Sequence, residues 1–325
     1  MVDKKSGDQA FRKDDIYGRW PELTHAGALS FLRRKYTDDL TGVDVAVSGI
    51  PFDSAVTYRP GARLGPRAIR AASVQLAELK AFPFGFDPFE HLAVVDCGDC
   101  FIEAHYPDSV VATIEKHISR IVDANVIPLT FGGDHFVTYP ILRAIAKKHG
   151  PVALVHFDAH PDTWDDDGVR FDHGSMFLRA KNEGLLDIDH SLQVGIRTYN
   201  DSDHGFEILS APWVHKNGVD KTIKAIMERT SGKKTYLTFD IDCLDPAFAP
   251  GTGTPVSGGL STAQALEIVR GIGGLDLVGM DVVEVSPAYD VSEITAITAA
   301  TIAHDLLCLL AEKKGAKRNP VGRQD

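Results

Sequence analysis

The sequence predicts an α/β fold, a three-layer α/β/α sandwich with a mostly parallel central sheet. Short apolar runs rich in Val, Ile, Leu and Phe recur at intervals of roughly 25–45 residues, which is typical of strands separated by helices. Most of these runs are continuous rather than alternating, as in strands covered on both faces. Helical patterns fill the intervals, and this alternation favours a parallel sheet between two helical layers.

Seven strands are predicted along the chain. They lie near residues 43–50, 91–96, 126–131, 152–157, 192–196, 235–239 and 275–283. Parallel sheets place their ligands at the carboxyl ends of the strands. The polar side chains that follow these runs are therefore the first candidates for a functional site.

Three helices have clear sequence signals. They span residues 109–125, 261–271 and 292–313. The first carries an apolar stripe at helical spacing. Ser261 is predicted to be the N-cap of the second helix and Ser292 the N-cap of the third, because serine accepts from the free N–H groups of a first turn. Glu293 would then lie in the first turn, where a carboxylate suits the helix dipole.

The chain is predicted to form one domain over residues 1–325. No repeat, low-complexity block or Pro/Ser-rich linker divides it. Residues 1–40 lack strand signals and are expected to form an arm or an outer helix. Residues 315–325 are basic and polar and are expected to be a frayed tail.

The composition excludes several classes of protein. The chain has 325 residues, of which 44% are hydrophobic and 24% charged, as in soluble globular proteins. No apolar stretch approaches the ~20 residues that span a bilayer, and the first residues lack the apolar core of a signal peptide, so a cytoplasmic protein without membrane contact is expected. A net charge of −11 argues against nucleic-acid binding and favours cationic ligands.

The four cysteines are too few for a disulfide scaffold in a chain of this length. Cys97 and Cys100 have CxxC spacing. No second pair exists to complete a four-cysteine zinc site, and no redox motif surrounds them. They are interpreted as incidental thiols.

One segment predicts a metal site. The apolar run that starts at Ala153 ends in Asp158, His160 and Asp162, which occupy every second position. On an extended chain such side chains point to the same face. They are therefore expected to converge at the carboxyl end of a buried strand.

Two further strand ends supply similar side chains, so that six ligands are predicted. The six are His135, Asp158, His160, Asp162, Asp240 and Asp242. A structural zinc site would use four ligands, usually with cysteine. A set of six mostly oxygen ligands instead suits two divalent ions. Manganese fits this set best, and the ligand types do not exclude iron, cobalt or nickel. Four aspartates balance the charge of two such ions, and a metal pair of this kind activates water for hydrolysis.

Several longer motifs resemble the ureohydrolase (arginase/agmatinase) family. They lie at residues 132–135, 158–162, 239–255 and 280–287, with weaker similarity at 63–70. Segments 171–177 and 287–290 are most similar to those of bacterial agmatinases. The resemblance implies a three-layer arginase-like fold, two Mn²⁺ ions per subunit and a homo-oligomer, either trimer or hexamer. It also implies hydrolysis of agmatine, a small cationic guanidino substrate, to putrescine and urea, a step of polyamine biosynthesis.

The resemblance also implies a role for each ligand. The first ion would be bound by His135, Asp158, Asp162 and Asp240, and the second by Asp158, His160, Asp240 and Asp242. Asp158 and Asp240 would bridge the two ions. Asp162 would also orient the hydroxide between them, and is expected to take part in catalysis.

Three residues outside the metal set match family positions that act on the substrate. His173 matches a proton-shuttle histidine, and histidine titrates in the range that this chemistry needs. Glu284 matches the carboxylate that holds the guanidinium, since a carboxylate accepts paired N–H donors and so positions the reacting carbon. Thr254 is expected to contact the substrate through its side chain.

Two departures from the arginase pattern bear on the substrate. Where arginases have an asparagine that contacts the α-carboxylate, this chain has Trp164. Where they have an aspartate for the α-amino group, it has Asn200, three residues after Arg197. Both departures argue against an α-amino acid, and Trp164 is predicted to form a wall beside a methylene chain. Segment 165–167, three aspartates, could attract an ammonium group, although a solvated loop is favoured.

Three alternatives stay open at this level. Guanidinobutyrase or guanidinopropionase would act on a substrate that ends in a carboxylate, and a basic residue in the outer pocket would reveal it. A catalytically silent binding protein would lack a ligand, His173 or Glu284. A metal-dependent deacetylase would hold a single zinc ion with fewer ligands.

Overall fold

The computed structural model describes residues 14–18, 23–77, 79–103 and 106–319. Within them, nine strands form one sheet in which every pair is parallel. The strands are β1 (Lys35–Tyr36), β2 (Val45–Ile50), β3 (Val94–Asp99), β4 (Ile127–Gly132), β5 (Ala153–Phe157), β6 (Leu192–Val194), β7 (Glu207–Leu209), β8 (Lys234–Asp240) and β9 (Asp276–Val283). Their order across the sheet is β1-β3-β2-β4-β9-β8-β5-β6-β7. The predicted parallel α/β fold is confirmed.

Helices cover both faces of this sheet. They are α1 (Gly65–Ser73), α2 (Pro107–Asp123), α3 (Thr138–His149), α4 (Met176–Asn182), α5 (Ala211–Asn217), α6 (Val219–Arg229), α7 (Thr262–Gly271) and α8 (Ile294–Lys313). Buried residues of α1, α5, α6, α7 and α8 belong to one apolar core, and those of α2, α3 and α4 belong to the other. Adjacent strand residues face opposite cores, as Val45 and Ala46 do. The predicted three layers follow from this alternation.

The predicted strands miss the two edges of the sheet. β1 and β7 have only two and three residues, and both are partly exposed. Neither contains the apolar run that marks a doubly covered strand, so their sequences carry no strand signal. β1 also places a strand inside segment 1–40, which was expected to hold only an arm or an outer helix. Residues 1–13 and 19–22 of that segment lie outside the described residues.

The two predicted helix caps have different outcomes. Ser261 caps α7 through a capping box, in which its hydroxyl accepts from the Gln264 N–H. The prediction for Ser292 is wrong: Ser292 and Glu293 have φ of 52° and 61°, and α8 begins at Ile294. The carboxylate of Asp290 accepts the first-turn N–H groups instead. Asp290 precedes the turn at Ser292 and Glu293, yet its carboxylate satisfies the N–H groups of the first helical turn. The path of this loop, which the sequence pattern does not show, decides that Asp290 rather than Ser292 is the cap.

The expectation that no apolar stretch is long enough to span a bilayer is wrong for helix α8. Within the described residues it has the length and composition to do so, with a mean hydropathy of 1.7. However, 83% of that window is buried inside the protein, where α8 packs on α1 and α7. It is the core helix of one helical layer.

The described part of the C-terminal tail is packed rather than frayed. Ala316 is buried, and the Asn319 N–H donates to the Phe84 carbonyl over 2.8 Å. Arg318 lies over the Phe84 ring and bonds Glu312. The expectation for segment 315–325 is therefore wrong up to Asn319, and residues 320–325 lie outside the described residues.

Candidate metal centre and active site

The predicted ligands meet at the carboxyl ends of four neighbouring strands. His135 follows β4, Asp158 and the two ligands after it follow β5, Asp240 ends β8, and Glu284 follows β9. In the sheet, β9 and β8 lie between β4 and β5, which are consecutive in the chain. The chain thus changes direction along the sheet here, and such switch points open a crevice for ligands.

His135 Nδ1 is the centre of the first cluster. Carboxylate oxygens of Asp158, Asp162 and Asp240 lie 2.9, 3.0 and 3.2 Å from it. The nitrogen is buried and, among the described residues, has no hydrogen-bond partner of acceptable geometry. Three carboxylate oxygens that converge on an unpaired imidazole nitrogen form a donor set for a divalent cation rather than a hydrogen-bond network.

A chain of hydrogen bonds leaves His135 Nδ1 free to bind a metal. Thr238 Oγ1 donates to Asp281 Oδ1 over 2.6 Å, so it accepts from His135 Nε2, which lies 2.8 Å away. The ring hydrogen is therefore on Nε2. Thr138 and Tyr236 donate to the other Asp281 oxygen, so this buried carboxylate is fully satisfied. Metal-binding histidines are commonly oriented in this way.

The second cluster lies around His160. Its Nδ1 is 3.1 Å from Asp158 Oδ1 and 3.1 Å from Asp242 Oδ2. Asp158 thus takes part in both clusters, one with each carboxylate oxygen, as a bridging ligand would. Asp240 Oδ1 accepts from the Asp242 N–H, and its other oxygen lies in the first cluster.

His156 lies inside the first cluster and was not among the predicted ligands. Its Nε2 is 2.7 Å from Asp158 Oδ2. Gln193 Nε2 is fixed as a donor by the Pro161 carbonyl and lies 3.1 Å from His156 Nδ1, so that nitrogen accepts. The hydrogen is then on Nε2, which donates to Asp158 and cannot bind a metal. His156 orients a ligand, and burial lowers its pKa to about 4, which keeps it neutral.

The carboxylates of the two clusters perturb one another. Burial, and then the charge of Asp158, raises the pKa of Asp162 to about 7. Burial, followed by the charges of Asp242 and Asp158, raises the pKa of Asp240 well above its ordinary range. Burial also tends to raise the pKa of Asp158. The imidazoles around Asp158, with His156 contributing most, nevertheless hold this pKa well below its usual value. Four buried carboxylates this close need positive charge, and two divalent cations fit the donors present.

Glu284 lies beside the clusters with one carboxylate oxygen free. Oε1 accepts from the His135 N–H over 2.9 Å and from His173 Nδ1 over 2.8 Å. Oε2 is buried and has no hydrogen-bond partner in the part of the chain that the structure describes. A Cβ atom at Gly253 would lie 3.3 Å from Oε2, so the glycine keeps the approach to this oxygen open. An unpaired buried carboxylate oxygen is costly unless a ligand supplies a donor.

His173 is held between Glu284 and Thr57. Burial opposes protonation, but Glu284, with Asp162 and Asp134, raises the pKa of His173 to about 9. Its Nε2 lies 2.9 Å from Thr57 Oγ1 and 3.2 Å from the Thr57 N–H. The hydroxyl can accept from a protonated ring, and the N–H can donate to a neutral ring. Thr57 therefore accommodates both protonation states.

Two residues of this site have strained backbones. Asp162 and Glu284 have φ of 50° and 63°, in the left-handed region that side chains other than glycine rarely adopt. The Glu284 N–H donates to the Gly133 carbonyl, and a Cβ at Gly133 would lie 1.6 Å from the Phe52 carbonyl oxygen. The strand ends are thus locked to each other by close backbone approach, and that packing maintains the strain.

A cavity of about 290 Å³ opens over the clusters. Its lining consists of Thr57, His160, Asp162, Trp164, Asp172, His173, Gly174, Asp240 and Thr254. The Trp164 ring lies 6.2 Å from that of His160, and its indole N–H donates to the Tyr199 carbonyl. The Thr254 hydroxyl donates to Asp242 Oδ2 over 3.3 Å, so it supports a ligand as well as lining the cavity.

Thr57, Asp172 and Gly174 line this cavity but were not predicted. Thr57 lies in a loop that Asp134 fixes by accepting the Ala55 N–H. It is 116 residues from His173 in the chain, so no local pattern connects the two. Asp172 and Gly174 adjoin His173 within segment 171–177, so the resemblance of that segment and the acidity of Asp172 were the available signals.

The three aspartates of segment 165–167 lie outside the cavity lining. Asp166 is paired with Arg179, and Asp167 accepts the N–H groups of Val169 and Arg170. Asp165 is exposed. The favoured interpretation, a solvated loop, fits Asp165 and Asp167, whereas it is wrong for Asp166, whose side chain is only 6% exposed in its pair with Arg179. Asn200 also lies outside the lining and donates to Thr163 Oγ1.

The fold and this site define a metal-binding α/β/α enzyme. A model of the Arginase family matches residues 43–308. An agmatinase of Chromobacterium violaceum is 61% identical over 312 residues, which are 95% of this chain and 97% of that protein. The protein therefore belongs to the arginase family of ureohydrolases, and its His/Asp clusters are the metal-binding site of that family.

Solved structures agree with this assignment. A crystal structure described as a hypothetical agmatinase from Burkholderia thailandensis has 58% identity and a TM-score of 0.94, and the match covers 95% of this chain and 99% of that one. The proclavaminate amidino hydrolase of Streptomyces clavuligerus has 38% identity and a TM-score of 0.81, with 89% of this chain and 99% of that one covered.

Proposed function

We propose that this enzyme is an agmatinase, which hydrolyses agmatine to putrescine and urea. The observation that carries the proposal is the free, buried Oε2 of Glu284 beside His173 and the metal clusters. The similarity to proteins named agmatinase supports it. A guanidinium offers the N–H donor that Oε2 lacks.

The metal centre is proposed to hold two Mn²⁺ ions. His135 and Asp162 would hold the first, His160 and Asp242 the second, and Asp158 and Asp240 both. When bound, such a pair activates water as a nucleophile and stabilises charge that develops on the substrate. The oxygen-rich donor set without cysteine favours manganese over zinc.

Glu284 is proposed to position the substrate. A guanidinium N–H that donates to Oε2 would pair two opposite charges in a buried site, where this contact is strong. The hydrogen bonds from His135 and His173 fix the other oxygen, so the carboxylate cannot rotate freely. The bound guanidinium is thereby held beside the metal clusters.

His173 is proposed to move the proton that the leaving amine needs. It lines the cavity, and its Nε2 faces Thr57 rather than a metal-binding carboxylate. Because Glu284 raises the pKa of His173, the protonated ring is favoured before the amine departs. Thr57 can then donate to the neutral ring until it is protonated again.

The cavity lining favours a cationic chain over one that ends in a carboxylate. It contains neither lysine nor arginine among the described residues, and the carboxylate of Asp172 lies at its wall. Trp164 offers an apolar surface to methylene groups. Guanidinobutyrate or guanidinopropionate would find no cationic partner there, so the corresponding hydrolases are the less favoured alternatives.

The silent binding protein and the deacetylase fit less well. His173 and Glu284 are both present, and they contact each other in the site. Two groups of donors that share Asp158 suit two ions rather than one zinc. A content of two metal ions per chain, measured by elemental analysis, is expected, and a content of one zinc would favour the deacetylase.

We further propose that residues 1–325 form one domain that works in the cytoplasm as a homo-oligomer. The nine described strands share one sheet, which supports a single domain. All four cysteines are free, and three are buried, which suits a reducing compartment. Light scattering in solution tests the predicted trimer or hexamer.

The function is tested by measuring urea release after manganese loading from agmatine, arginine and 4-guanidinobutyrate. We expect agmatine to have the highest kcat/KM, with arginine and 4-guanidinobutyrate lower by at least about 100-fold, since each places a carboxylate in a cavity without a cationic partner. Faster hydrolysis of 4-guanidinobutyrate would contradict the proposal.

A further inference from the structure

We infer that Asp172 is the specificity residue that binds the distal ammonium group of the substrate. The inference rests on the proposed function and adds the second half of substrate recognition. Glu284 accounts for the guanidinium, but agmatine is a dication with an amine four methylenes away. A site that prefers it over a simple alkylguanidine needs a second acceptor.

Among the described residues, Asp172 is the one carboxylate of the cavity lining that no metal cluster uses. The other two, Asp162 and Asp240, both lie close to His135 Nδ1. Metal ions would neutralise those two and remove them as partners for an ammonium. Asp172 belongs to neither metal cluster, so bound metal ions would not neutralise it and its carboxylate would stay available to the substrate.

Side-chain exposure increases from Glu284, which contacts His173 but does not line the cavity, to His173 and Asp172, which do line it. Glu284 has a side-chain exposure of 1%, His173 of 9% and Asp172 of 20%. The guanidinium acceptor is therefore deepest and Asp172 is nearest the solvent. Trp164 lines the same cavity, and an added Cβ at Gly174 would lie 3.0 Å from its ring. An apolar wall thus accompanies the two charged ends, as an alkyl chain requires.

Asp172 is held in place by its own loop. Oδ1 accepts the Gly174 N–H over 2.8 Å, which closes a turn around His173. Oδ2 lies 3.2 Å from Arg170 Nη2, whose side chain is 54% exposed. Exposed ion pairs of this kind are weak and are readily exchanged. An ammonium within the cavity can therefore replace Arg170 at Oδ2.

Arg170 suggests an alternative interpretation of this loop, in which the outer cavity binds an anionic group. It could receive a substrate carboxylate after leaving Asp172, which would make the outer cavity selective for an anion. Arg170 does not line the cavity, whereas Asp172 does. The two interpretations predict opposite effects on agmatine binding when the side chain of Asp172 or that of Arg170 is removed.

The test compares agmatine with 1-butylguanidine, which has the same guanidinium and chain but no ammonium. Asp172→Asn keeps an oxygen for the Gly174 N–H and removes the charge. We expect its kcat/KM for agmatine to fall about 10- to 100-fold, mainly through KM, as for the loss of one charged hydrogen bond. Its kcat/KM for 1-butylguanidine should change less than about twofold, because that substrate never had the contact.

Two control variants complete the test. Asp165→Asn removes an exposed carboxylate of the same loop outside the cavity and should leave both substrates unaffected. Arg170→Ala removes the competing cation and should leave the KM for agmatine unchanged or lower it. Metal content and melting temperature of all variants are compared with those of the wild type.

Each other outcome overturns the inference. An equal loss on both substrates would make Asp172 a structural residue of the loop, and no loss on agmatine would place the ammonium elsewhere. A drop in agmatine turnover for Arg170→Ala would also contradict it. Failure of the proposed function is distinguishable, because the wild type would then prefer another guanidino compound before any variant is made.

Discussion

The inner and outer halves of the site are built in different ways. The inner half consists of residues that lie at the ends of strands or shortly after them and are almost fully buried, namely His135, Asp158, Asp240, Asp242 and Glu284. The outer half is the loop 163–175, which carries Trp164, Asp172 and His173 and is partly exposed. Inner side chains are fixed by hydrogen bonds within the sheet, whereas the outer ones lie on a loop that is held partly by its own turn at Asp172 and partly by contacts with distant segments. The chemistry therefore belongs to the sheet and the choice of substrate to the loop.

Asp240→Ala should have the largest effect, because it removes a carboxylate of the inner half. We expect no detectable urea release and a reduced metal content, since the remaining donors no longer complete the first cluster. The matched control is Asp276→Ala, at the opposite end of β9, where the carboxylate is exposed. Urea production at the wild-type rate from Asp240→Ala would refute the metal assignment.

His173→Asn tests the boundary between the two halves. We expect kcat to fall by about 10²- to 10⁴-fold, as for loss of an acid–base group, while the metal content stays near that of the wild type. The measurement is urea release together with elemental analysis of the same sample. Loss of the metal would show that His173 is a ligand and that its assigned role is wrong.

Thr238→Val tests whether the sheet orients its ligands. The change removes the acceptor for His135 Nε2 and the donor to Asp281, so we expect manganese affinity to fall about 10- to 100-fold. Competition with a chelator measures this affinity without any turnover. Thr130→Val is the control, because the Thr130 hydroxyl is buried on β4, which β9 separates from β8, and has no hydrogen-bond partner among the described residues. Equal affinities for the two variants would remove the proposed role of Thr238.

Trp164→Ala should have the smallest effect, because it changes only the wall of the outer half. We expect the KM for agmatine to rise a few-fold to about tenfold, as for exposure of one or two methylene groups to water. Metal affinity should not change. A fall in metal content instead would mean that the outer loop also supports the inner half, and the division between them would fail.

Sequence patterns identified most of the inner half because its geometry is local. Asp158, His160 and Asp162 alternate directly after an apolar run, and Asp240 and Asp242 do the same. The backbone of a strand end brings such residues to one side. The same patterns missed β1 and β7, since edge strands need no continuous apolar run.

Sequence patterns did not predict the contacts of the outer half or those that orient the metal ligands, because these contacts join segments that are distant in the chain. His156 has the spacing of a ligand, yet Gln193, 37 residues away, makes it a donor. Thr57 meets His173 across 116 residues. Neither contact leaves a periodic signal.

The sequence by itself determined the parallel sheet and the family and predicted six metal ligands, because continuous apolar runs and alternating donors act within a few residues. Tertiary structure alone decided that His156 supports Asp158, that one oxygen of Glu284 is free, and that Asp172 faces the cavity. Those outcomes depend on how loops cross the carboxyl ends of the strands. The physical reason is that burial and hydrogen-bond partners are properties of the packed chain, and a local pattern does not contain them.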